Sequence, residues 1–159
     1  MAVRWSRVGV VLLVCGAAGV SLFAVLAWRA TSSEAIGPAA AMRRLDALHA
    51  RLGSAVPILS LSSDGTVINR APAPADAPAA PPHRIVVSVY RADTNRLVET
   101  RIPFWFFRIK APAADFALEG TGLSFRRLGI TADDLRRYGP RVVIDHRTAG
   151  AGRLLVWTE

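Results

Sequence analysis

The chain has 159 residues, 52% of them hydrophobic, and a formal net charge of +8 at pH 7. Cys15 is its only cysteine, which excludes an intramolecular disulfide and a cysteine-rich metal site. Lys110 is the only lysine; an arginine-dominated charge together with abundant alanine is the mark of a GC-rich bacterial genome rather than of a function.

Residues 8–28 form an unbroken apolar run, with Arg4 and Arg7 before it and Arg29 after it. At about 1.5 Å per helical residue such a run spans roughly 30 Å, the thickness of a bilayer's hydrocarbon core. A core helix of that length would show a polar side, and this run has none. It predicts a transmembrane helix over residues 8–28 with a cytoplasmic flank at 1–7. A secretory signal peptide is the rival reading, with Val25-Leu26-Ala27 as its cleavage site, but the run is longer than such a segment needs. The balance of Arg4 and Arg7 against Arg29, Arg43 and Arg44 places the N-terminus in the cytoplasm and the rest of the chain in the periplasm or outside. Cys15/Gly19 and Ala17/Ser21 have the small-residue spacing that lets two spans approach, so a homodimer is one expectation. Without Arg4, Arg7 and Arg29 the displayed part keeps a charge of +5.

Residues 29–69 read as a juxtamembrane helix and a short hairpin. Thr31 to Glu34 fits a capping box, interrupted by Gly37-Pro38. A better helix runs from Pro38 to Leu52, stopped by Gly53. Met42, Leu45, Leu48 and Leu52 give it one apolar stripe, suited either to its own domain or to a partner or lipid surface. Two short strands, 57–61 and 66–68, flank the turn Ser63-Asp64-Gly65. Residues 70–82 form a Pro/Ala linker that favours polyproline II and reads as a domain boundary.

Residues 83–159 are then a small α+β domain. Strands are expected at 85–90, 97–102, 141–147 and 153–158. A short helix begins at Thr131, with Asp133 and Asp134 in its first turn and Arg136 and Arg137 near its end. The fold expected is an antiparallel four-stranded sheet with a short helix between its hairpins.

The densest anomaly is Ile102-Pro103-Phe104-Trp105-Phe106-Phe107-Arg108-Ile109-Lys110. As a strand it is apolar on both faces; as a helix it puts Phe104 and Phe107 together and Trp105 elsewhere. Either the segment supplies core, or some of its rings are exposed as a docking patch flanked by Arg101, Arg108 and Lys110. Phe104, Trp105, Phe106, Phe107, Arg108 and Lys110 are therefore the candidate partner-binding residues.

No constellation points to catalysis. Asp145 and His146 are adjacent, and neighbours on a strand face opposite ways, which defeats a triad. His49 and His83 are too scattered for metal-ligand spacing. Gly120-Thr121-Gly122 lacks the lysine of a phosphate loop and reads as a turn. No enzyme, cofactor or metal is expected. The function expected is a single-pass, membrane-anchored accessory or regulatory interaction module of a bacterial envelope, binding another envelope protein. The alternative is a basic and aromatic surface for anionic lipid or nucleic acid, extended by Arg126-Arg127 and Arg136-Arg137, although no nucleic-acid motif accompanies them.

Overall fold

The computed structural model describes residues 30–53, 56–75, 80–148 and 152–159, and of residues 110–113 the backbone alone. The transmembrane helix, its cytoplasmic flank and the small-residue pairs expected within residues 1–28 lie outside the described residues. Among the described residues no helix is long and apolar enough to cross a membrane. Contacts within the chain gather Ser33–Glu159 into one compact unit.

Among the described residues the strands are β1 (Thr31–Ala35), β2 (Leu59–Leu61), β3 (Val67–Arg70), β4 (Arg84–Arg91), β5 (Arg96–Pro103), β6 (Val142–Thr148) and β7 (Gly152–Thr158). The helices are α1 (Pro38–Arg51), α2 (Phe104–Lys110) and α3 (Ala132–Tyr138), with a 3-10 segment at Ala111–Leu118. The strands form one seven-stranded sheet in the order β1-β5-β4-β7-β6-β2-β3.

This corrects the four-stranded expectation. The four strands read from residues 83–159 are present as the antiparallel centre, β5-β4-β7-β6. The sheet continues beyond them on both sides, and it is mixed, because β2 runs parallel to β6 with Leu59 opposite Ile144. Proline cannot donate to a ladder, but a proline-rich stretch does not stop the strands on either side of it from meeting. A hairpin of so few residues needs a neighbour to cover its apolar side. β2 and β3 find it at β6, where Ile58 and Leu59 join the core. Thr31 to Glu34 is likewise extended rather than a helix start. The Ile36 N–H donates to the Asn95 carbonyl at 2.9 Å, just before β5 begins, and Ser33–Ala35 lies beside β5.

The central strands explain the layers. β4 is buried at every position from Ile85 to Tyr90, and β7 along its whole length. Their side chains alternate, so both faces of the sheet must be covered. Ile85, Val87, Val89, Leu154 and Val156 pack with Phe104, Phe107, Leu118 and Leu135 from α2, the 3-10 segment and α3. Val86, Tyr90, Leu155 and Trp157 face the other way and pack with Ala41 and Leu45 of α1.

The apolar stripe of α1 is thus spent on its own sheet, with Met42, Leu48 and Leu52 packed around the two buried residues. Its predicted end holds within a residue: Pro38 occupies the first turn and Gly53 takes φ +88 just beyond the helix. The short helix expected after Thr131 is α3, opened by a reciprocal capping box between Thr131 and Asp134. Gly152 admits no side chain, since a Cβ there would lie 2.8 Å from the Tyr90 carbonyl oxygen across the β4–β7 ladder.

Leu45 is fully buried and Ala47 exposed on the same helix. Leu45→Ala is expected to lower stability by about 2–5 kcal/mol and Ala47→Ser by less than about 0.5, read by urea titration of the detergent-solubilised chain. Equal, small effects would show that α1 does not pack on the sheet.

Candidate functional site

β5 delivers the chain through Pro103 directly into α2. A single helical turn then sorts the aromatic segment. Phe104 and Phe107, three residues apart, both turn inward; Phe107 is completely buried and meets the Phe125 ring edge-on, with centroids 5.0 Å apart. Trp105 and Ile109, four apart, turn outward and are 57% and 62% exposed. Phe106 lies between, partly buried against the core, with its ring perpendicular to that of Trp105 at 5.9 Å. Arg108 is exposed, and among the described residues no carboxylate pairs with it; the side chain of Lys110 lies outside the description. Arg101, exposed on β5, forms an ion pair with the half-buried Glu99. The candidates therefore divide: Phe104 and Phe107 build the core, whereas Trp105 and Arg108, joined by Ile109, form a surface the fold does not use. Ile109 belongs to that surface by its spacing from Trp105.

The guanidinium track suggested for nucleic acid is partly engaged within the chain. Arg136 pairs with Asp133, and Arg127 donates to the Gly122 carbonyl. Gly120 and Gly122 both take positive φ in a turn, as their spacing suggested. Beside them, Tyr90, Arg91, Thr121, Thr148 and Gly152 line a cavity of about 210 Å³. The Arg91 guanidinium donates to the Glu119 carbonyl at its edge.

Sequence reasoning missed a second polar cluster, beneath α1. Arg153 leads β7 on the face that carries Leu155 and Trp157, and its side chain is only 8% exposed. It donates to both carboxylate oxygens of Asp145 at 2.8 Å and, through Nη1, to Asp46 of α1 at 2.5 Å. His49, one helical turn after Asp46, brings Nδ1 to 2.8 Å from Asp145 Oδ2. Burial alone would raise the Asp145 carboxyl, but the Arg153 guanidinium outweighs it and holds the pKa below the ordinary 3.8, with His49 contributing less. The signal was present in the sequence: Arg153, Leu155 and Trp157 share a strand face, and Asp46 and His49 share a helix side.

Asp145 and His146 do face opposite ways. Asp145 belongs to the α1 side, and His146 is buried on the other, where desolvation pushes its pKa below 6.5 against the weaker pull of Asp145 and Asp64. They do not form an acid–imidazole relay. No family model matches this chain, and neither a curated protein nor a solved structure shows significant similarity to it.

Two pH limbs follow. The depressed His146 pKa means the unfolded chain binds the extra proton first, so stability falls as pH drops below about 6.5. The depressed Asp145 pKa gives stability that is present above 3.8 and lost as pH falls through the lower folded value. Asp145→Asn is expected to cost about 3 kcal/mol at pH 7, by leaving Arg153 with half its partners, and to flatten the limb below 3.8. Denaturant titrations between pH 3 and 8 read both effects; an unchanged acid limb in the variant would reject the assignment.

Proposed function

We propose that this chain is a membrane-anchored accessory or regulatory interaction module of a bacterial envelope, with the outer side of α2 as its docking surface. The supporting observation is that Trp105 and Ile109 stay exposed on a helix whose other side supplies the core. Scattered exposed apolar residues are ordinary on a protein surface. Here a tryptophan and an isoleucine stand one turn apart beside the exposed Arg108, and tryptophan and arginine are the residues most enriched where binding energy concentrates. The anchor rests on residues 8–28, whose apolar length fits a bilayer and which are joined to the compact unit by 29–32. We assign the module no reaction: the polar clusters are ion-paired within the fold, and Asp145 and His146 are not arranged for proton transfer.

Trp105→Ala is expected to leave the melting temperature within about 2 °C of the parent, because the side chain is mostly exposed. Phe107→Ala is expected to cost about 3–5 kcal/mol. A photoreactive residue at position 105 of the anchored chain in cells is expected to crosslink to an envelope component, and one at the exposed position 47 to none. Equal labelling at both positions, or none at 105, would sink the docking assignment.

A further inference from the structure

We infer that the occupant of the α2 surface is an anionic bilayer, that of the membrane which the chain's own apolar run enters. This rests on the docking assignment above and names its partner.

Size argues first. A stable protein–protein interface buries about 800 Å² on each partner, with a contiguous apolar centre. The outward side of α2 offers two large apolar side chains, Trp105 and Ile109, with Phe106 partly turned into the core. That is meagre for a protein partner but suited to shallow insertion, where a short amphipathic segment sinks its apolar side chains to the depth of the headgroups. Tryptophan is the residue most at home at that depth.

Charge argues second. Residues 102–114 carry Arg108 and Lys110 and no carboxylate. The nearest acids are occupied: Glu99 is paired with Arg101, and Asp115 accepts the Phe125 N–H at 2.7 Å. Arg108, exposed between Trp105 and Ile109 in the sequence, can lay its stem along the apolar pair while its guanidinium meets a phosphate.

Tethering argues third. Only 29–32 separate the apolar run from a compact unit that begins at Ser33. So short a connection holds the unit at high effective concentration over the bilayer, and a weak contact that would fail for a free protein is then enough. Ser33–Ala35 flanks β5, and β5 runs directly into α2.

The test uses the full chain carrying Cys15→Ser and a nitroxide on Ile109→Cys, reconstituted into vesicles of phosphatidylcholine alone or with one quarter phosphatidylglycerol. Oxygen and a water-soluble nickel complex report the label's depth, and the same label at position 47 serves as the aqueous reference. In the mixed vesicles the oxygen-to-nickel collision ratio at 109 is expected to rise several-fold above that at 47. Arg108→Glu, which leaves the core untouched, is expected to reduce the docked fraction at least five-fold, about the share of one cation at an anionic surface. High salt is expected to act in the same direction. A water-like label at 109 in both vesicle types overturns the proposal. So does deep insertion that ignores both phosphatidylglycerol and Arg108→Glu. If the label stays aqueous while position 105 crosslinks to a protein in cells, the bilayer is rejected and the docking surface stands; if neither occurs, both fail.

Discussion

β4 and β7 have no polar side. A strand whose side chains are apolar on both alternations cannot end a layer against water; it has to be covered twice. Every larger feature of the Ser33–Glu159 unit answers that requirement. α2, the 3-10 segment and α3 cover one face with Phe104, Phe107, Leu118 and Leu135. α1 covers the other with Ala41 and Leu45, although it lies on the far side of the proline-rich segment in sequence. The same demand draws the β2–β3 hairpin onto β6, making one sheet from stretches that 70–82 had seemed to divide.

The second face carries an exception that fixes how α1 sits. Arg153 continues the line of Leu155 and Trp157 to the edge of the layer under α1, where its own side chain is buried and an unpaired guanidinium would be unfavourable. Asp145 grips it from the neighbouring strand, and Asp46 reaches it from the helix. Apolar contact alone would let a helix with two fully buried residues slide; a charge with fixed partners does not. The network therefore ties the first helix after the apolar run to the β6–β7 hairpin. It also accounts for the chain's sole adjacent acid–imidazole pair, since the acid serves the clamp while the imidazole is buried on the opposite face.

What the fold leaves over is as telling as what it uses. Most large apolar side chains of the compact unit are absorbed by the two cores, and the amphipathic stripe of α1 is consumed on its own sheet. Trp105 and Ile109 are not absorbed, and they sit on the helix that supplies Phe107 to the centre of the larger core. A surface built on an element anchored through Phe107 has its backbone positioned by packing before any partner arrives.

Local chemistry was legible in the sequence. The four central strands, the extents of α1 and α3, and the turn at 120–122 follow from alternation, capping and glycine placement, which act over a few residues. The aromatic segment was legible only as a choice, because its composition satisfies a buried strand and a two-sided helix equally; the helix was decided by Phe107 meeting Phe125. The extent of the sheet, the joining of 29–69 to the rest and the partners of Arg153 were settled by tertiary structure alone. β2 beside β6 and Asp46 beside Arg153 join residues 85 and 107 positions apart, respectively. No local propensity encodes such pairs, which form because apolar faces and a buried charge must be covered by whatever the chain can bring to them.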